Sequence, residues 1–152
     1  MKEKDYLEDY KLGEVLITPG RTITEADIVN FAGLTGDWNP LHTDVTYAET
    51  TIFGERIAHG FLTLVVGSAL IFRLGPFAFL PRSFIAFYGM DEVRFPGPVR
   101  IGDTIRLECE IIDVALKNKK MGVMTAHGAI KNQKDEVCCA YTVRLACGRR
   151  PA

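Results

Sequence analysis

The stretch from Gly60 to Phe72 constrains this chain more than any other. Phe61, Leu62, Leu64, Val65, Val66, Ala69, Leu70, Ile71 and Phe72 make it apolar nearly all round over about three helical turns. A helix of that kind must be covered on most of its circumference. The second half of the chain offers the cover. Four segments there read as strands: 83–95, 104–111, 121–130 and 137–147. Between Thr104 and Ile111 the alternation is strict, with Ile105, Leu107, Cys109 and Ile111 on one face and Thr104, Arg106, Glu108 and Glu110 on the other. In the last segment Val137, Cys139, Tyr141, Val143 and Leu145 share a face. Strands of this type bury one side in an antiparallel sheet. One apolar sheet face and one apolar helix have a simple joint solution, an α+β fold in which the sheet curves around the helix.

The first half supplies shorter pieces. Residues 1–13 are charged, with Tyr6, Leu7 and Tyr10 interspersed, and read as a lead-in segment. Val15 to Ile23 is a short strand broken at Pro19-Gly20. Thr24-Glu25-Ala26-Asp27 is a capping box, after which Ile28, Phe31, Ala32 and Leu34 keep helical spacing as far as Gly33 and Gly36. Asp44 can cap one more short helix through Tyr47, Ala48 and Glu49. Pro76 and Pro81 bracket an apolar connector, Phe77-Ala78-Phe79-Leu80. No repeat, low-complexity run or linker divides the chain, so residues 1–152 read as a single domain.

Composition excludes several function classes. A formal net charge of −1 over 152 residues leaves no electrostatic footprint for nucleic acid or anionic lipid. The apolar run is interrupted by Thr63, Gly67 and Ser68 and falls short of the ~20 residues that span a bilayer. The N-terminal residues lack the apolar core of a signal peptide. A cytoplasmic protein is expected. The four cysteines, Cys109, Cys138, Cys139 and Cys147, lack Cys-x-x-Cys spacing, so no metal site is expected. Cys109, Cys139 and Cys147 fall on apolar positions, where cysteine behaves as a small hydrophobe in a reducing compartment.

Chemistry concentrates in two short runs, Gly36-Asp37-Trp38-Asn39-Pro40-Leu41-His42 and Arg56-Ile57-Ala58-His59-Gly60. The Asn39-Pro40 step disfavours a regular helix, so a turn carrying Asp37 and His42 can aim both side chains at one water molecule. An acid/base pair around one water is what hydration or dehydration needs. Gly60 stands at a helix start, where unpaired N–H groups carry partial positive charge and a glycine admits close approach to the backbone.

These motifs, in this order, resemble the MaoC-like dehydratases, or (R)-specific enoyl-CoA hydratases. The likeness runs from about Gly13 to Leu145. It is carried by Asp37-Trp38-Asn39-Pro40-Leu41-His42, by Ile57-Ala58-His59-Gly60, and by the later Arg94-Phe95 to Pro98-Val99-x-x-Gly102-Asp103 stretch. The resemblance implies a single hot-dog fold, with a curved antiparallel sheet wrapped around a long central helix, and a homodimer or higher homo-oligomer. It implies as substrate a 2-enoyl thioester, delivered by coenzyme A or acyl-carrier protein and hydrated to a 3-hydroxyacyl thioester, usually of R configuration. Coenzyme A enters only as part of that substrate, and no cofactor is expected.

Asp37 and His42 are then the candidate catalytic pair, with exchangeable acid and base roles. A protonated Asp37 would require apolar surroundings. Gly60 is the candidate enolate site, and Asn39 the organiser of the turn. Ser68 aligns with a family serine that supports the catalytic aspartate, which makes Asp37 its suggested partner; a bond to its own helix carbonyl is the competing reading. His59 either pins the helix start or acts directly. His127 reads as structural. The Phe77–Leu80 connector can line the acyl tunnel, the core or a dimer contact, and scattered cations such as Arg73, Arg82 or Arg94 would meet coenzyme A. The rivals are a hot-dog thioesterase and a non-catalytic acyl-thioester-binding module.

Overall fold

The structure, a computed structural model, describes residues 2–151. Helix α1 (Glu25–Thr35) opens on the expected capping box: the Thr24 N–H donates to the Asp27 carboxylate at 2.8 Å, and the Asp27 N–H returns a bond to the Thr24 hydroxyl. It ends at Gly36, whose left-handed backbone (φ 78°) directs its N–H back to the Ala32 carbonyl. Two short helices follow, α2 (Pro40–Thr43) and α3 (Val45–Glu49), and then α4 (Gly60–Ala69), prolonged by a tight turn over Leu70–Leu74.

The strands are β1 (Val15–Ile17), β2 (Arg21–Thr22), β3 (Phe84–Arg94), β4 (Thr104–Leu116), β5 (Met121–Lys131) and β6 (Val137–Gly148). They form one antiparallel sheet in the order β1-β4-β5-β6-β3, with β2 also on β4. Helix α4 lies in the hollow of that sheet, its Leu62, Leu64 and Gly67 buried with Leu107, Ile130, Cys139 and Tyr141. The approach is closest at Gly67, where a Cβ would stand 2.5 Å from Ile130 Cδ1. This is the hot-dog arrangement. All four cysteines are free and buried. No helix among the described residues is long and apolar enough to cross a membrane.

Three features depart from the sequence reading. Strand β4 runs on to Leu116, because a bulge between Ile111 and Asp113 shifts the alternation by one residue and hides its continuation. The turn expected at Asp37–His42 contains the one-turn helix α2. A proline at the first helical position loses no hydrogen bond, so the Asn39-Pro40 step starts a helix instead of forbidding one. The all-round cover expected for α4 is also incomplete in the single chain. Phe61 and Val65 are 67% and 56% exposed, and Phe84, Ile85, Phe87 and Tyr88 on the edge strand β3 are exposed as well.

Candidate active site

Asn39 builds the motif loop. Its side-chain oxygen accepts the Leu41 N–H at 3.0 Å and caps α2, which fits the organising role read from the sequence. Helix α2 carries His42 inward, where its Nδ1–H donates to the Ile57 carbonyl at 2.7 Å. A carbonyl can only accept, so that bond fixes the tautomer and leaves Nε2 with a free lone pair. Burial pushes the His42 pKa below the usual imidazole value, and neighbouring His59 adds to the fall; the Ile57 carbonyl and Asp37 only partly oppose them. A neutral imidazole with an open Nε2 is a general base.

His59 stands at the start of α4, where it was expected either to pin the helix or to act directly. It precedes α4 without capping it by its side chain. Its Nε2–H instead donates to the backbone carbonyl of Asp37 at 3.0 Å, tying the motif loop to the helix start. Its ring stacks on His42 with centroids 3.9 Å apart and planes 33° apart, and Phe31 packs on it at 5.0 Å. His59 Nδ1 is buried with no hydrogen-bond partner among the described residues. One side-chain donor or acceptor atom from each of Asp37, His42 and His59 lies within 4.8 Å of the other two.

The Asp37 carboxylate accepts the Asn39 N–H at 3.3 Å and is exposed in the single chain. The apolar surroundings expected for a protonated Asp37 are therefore not supplied by one chain alone. Across from it, the first-turn N–H groups of α4, Gly60 among them, have no intrahelical acceptor. Gly60 and His42 open into the same cavity of about 310 Å³, roofed by Phe95 and closed at the side by Thr63 and Cys138.

Residues 9–133 match the family described as MaoC like domain. The chain belongs to that family. It is 45% identical over 109 residues to protein MaoC of Klebsiella aerogenes and 42% identical over 105 residues to an (R)-specific enoyl-CoA hydratase of Rhodospirillum rubrum. The matched parts are 70% and 66% of this chain, but only 31% and 65% of those two proteins. A 3-hydroxybutyryl-CoA dehydratase of Methylorubrum extorquens is 31% identical, with 95% of this chain and 94% of that protein aligned. Among solved structures, a monoamine oxidase regulatory protein from Archaeoglobus superposes with a TM-score of 0.92 at 37% identity, covering 99% of this chain and 98% of the other.

The MaoC-like site leaves Ser68 outside. Ser68 stands eight residues beyond Gly60, about 12 Å along the helix, and its hydroxyl donates to the Val65 carbonyl at 3.2 Å. Of its two expected partners the structure gives the helix carbonyl and not Asp37. The register of α4 decides this, since Gly60 meets the motif loop at one end while Ser68 borders a second, apolar cavity of about 370 Å³ at the other. Phe79 and Leu80 of the connector line that second cavity, whereas Phe77 lies beneath the Arg82 guanidinium. His127 is exposed on the outer sheet face opposite Glu110. Arg73 donates to the Gly20 carbonyl, Arg94 to the Val93 carbonyl, and Arg82 pairs with Glu3 and Asp5.

Sequence reading missed Phe95 and Cys138 as cavity walls. His42 and His59 are 17 positions apart, and no local pattern reports that their rings stack. The Pro96-Gly97-Pro98 break beside Phe95 was the one available sign of a special position.

Proposed function

We propose that this chain is an (R)-specific 2-enoyl-CoA hydratase, equally a 3-hydroxyacyl-thioester dehydratase in the reverse direction. One observation carries the reading: a neutral imidazole with a free Nε2 and a helix-start amide open into one cavity, with a carboxylate beside them. The names of the Rhodospirillum and Methylorubrum relatives support it.

In the forward direction a water molecule lies between His42 Nε2 and Asp37. His42 takes a proton from it as the oxygen attacks C3 of the enoyl thioester. The C2=C3 electrons move toward the thioester carbonyl, and the resulting enolate oxygen is held by the Gly60 N–H. Asp37, protonated at the start of the step, delivers its proton to C2, and the imidazolium of His42 then returns the proton taken from water to restore the Asp37 carboxyl. Dehydration is the same path reversed. Because the two groups share one water, their titrations are coupled and their roles are exchangeable. The second cavity, apolar and partly walled by Phe79 and Leu80, would take the acyl chain. The exposed apolar side chains of α4 and β3, Phe61, Val65, Phe87 and Tyr88 among them, fit a second copy of the chain. Four buried, free cysteines accord with a reducing compartment, the cytoplasm.

The test is a spectrophotometric assay with 2-enoyl-CoAs. Loss of the enoyl absorbance without release of free thiol, giving the R-3-hydroxyacyl product on chiral analysis, is expected. Thiol release with the double bond intact would mean a thioesterase. Binding without turnover would mean a carrier or regulatory module.

A further inference from the structure

Most of the second cavity is walled by α4, its terminal turn and the sheet, elements held by regular backbone hydrogen bonds. The connector is different, being irregular between Gly75 and Ser83, yet it contributes Phe79 and Leu80 to the wall. Its backbone is held from outside by the N-terminal segment. Three successive connector carbonyls accept from that segment: Phe77 from the Lys4 N–H at 2.8 Å, Ala78 from Lys4 Nζ at 3.0 Å, and Phe79 from the Tyr10 hydroxyl at 2.5 Å. The connector donates in return, Arg82 N–H to the Lys4 carbonyl and Ser83 N–H to the Asp5 carbonyl, both at 3.0 Å.

The strap is itself anchored. Leu7 is fully buried against β5 beside Gly122, and Lys4 is only 3% exposed. The Lys4 ammonium bonds Glu14 Oε1 at 2.9 Å, while Glu14 Oε2 is buried with no partner among the described residues. A buried pair with an unmatched oxygen adds little stability, so stability alone is a weak account of Lys4. Phe77 has a positive φ of 61°, a conformation that a bulky residue keeps only when its surroundings over-determine it. The strap, with the Arg82 guanidinium 4.0 Å above the Phe77 ring, supplies those surroundings.

We infer that residues 4–14 form a strap that sets the position of Phe79 and Leu80, with Lys4 and Tyr10 as positioning residues that limit acyl-chain length. The inference rests on the reading of the second cavity as the acyl site. Loosening the strap lets the connector move outward and lengthens the space for the chain.

The experiment compares the wild type with Tyr10→Phe, which deletes one hydroxyl and keeps the ring, and with Lys4→Met/Glu14→Gln, which removes the ion pair without stranding a charge. Ile28→Val, on the buried face of α1, serves as a control of reduced stability away from the cavity. kcat/KM is measured over 2-enoyl-CoAs of graded length, and binding of the matching saturated acyl-CoAs is measured by calorimetry. The expected result is a shift of about tenfold in the ratio of long to short chains for the strap variants, the scale of one methylene in an apolar pocket, with the control ratio unchanged. A uniform fall across all lengths, an unmoved ratio, or the same shift in the control would overturn the inference. Should the double variant fail to fold, Tyr10→Phe decides by the same ratio. Calorimetry separates the two readings: a wild type that binds acyl-CoAs by length but hydrates none ends the hydratase reading, and the strap is still judged by the binding ratio. Binding indifferent to chain length ends the strap.

Discussion

The ring of Phe95 covers Gly60 so closely that a Cβ on the glycine would stand 3.2 Å from two of its carbons. The helix start and the aromatic roof therefore form a slot one backbone deep. Gly60→Ala keeps the N–H but displaces the ring or the thioester. It is expected to lower kcat/KM by about 10²-fold, the cost of misplacing a reacting group by about an ångström. The melting temperature should hold, since alanine favours a helix. Wild-type kinetics in this variant would remove Gly60 from the enolate site.

Asp37→Asn and His42→Gln should each reduce turnover by ~10²- to 10⁴-fold while leaving the circular dichroism spectrum unchanged. Near-normal turnover in either protein takes that residue out of the mechanism.

The acidic limb of the kcat/KM profile should inflect below the ordinary imidazole value of ~6.5. His42 must be neutral to act, and its pKa is lowered by burial first and by His59 next. The sign for stability is the same. A histidine whose folded pKa is depressed binds fewer protons folded than unfolded, so its contribution is complete above the unfolded pKa and is lost as pH falls through the folded one. His59→Phe keeps a stacked ring but removes the bond to the Asp37 carbonyl. It should cut turnover by about tenfold and move the acidic limb upward. A limb that stays in place would show that His59 does not bias His42.

Gly67→Ala should destabilise the protein by about 1–3 kcal/mol in denaturant unfolding, since its Cβ would meet Ile130 and overpacking exceeds the helix-propensity gain. Adding Ile130→Val should recover part of the loss. Strict additivity in that double-mutant cycle would mean that the two residues do not press on each other.

If the exposed apolar residues of α4 and β3 meet a second copy of the chain, as proposed, Phe87→Glu on the edge strand should turn that dimer into a monomer in analytical ultracentrifugation. An unchanged sedimentation coefficient would place the partner contact elsewhere.

The core elements were legible because each carries its own local signal. Thr24 to Asp27 announces α1, Gly60 to Phe72 is too apolar to be anything but a core-packed helix, and Ile105 to Ile111 alternates without error. What escaped depends on contacts between distant residues or on exceptions to local rules. Pro40 looked like a breaker and is a starter. Asp113 follows a bulge that resets the period of β4. Ser68 shares a helix with Gly60, and proximity in sequence gave no hint that the two border separate cavities. The charged lead-in carried no local signal of its contacts, because Lys4 and Tyr10 meet backbone carbonyls some seventy residues away.

Cys138 shares a cavity with His42, and burial holds its thiol pKa above the ordinary range. Conjugated thioesters are alkylating agents, and only the deprotonated sulfur attacks them with any speed. With an enoyl thioester as the proposed substrate, a sulfur kept protonated would let that electrophile meet the cavity wall and leave again without scarring it.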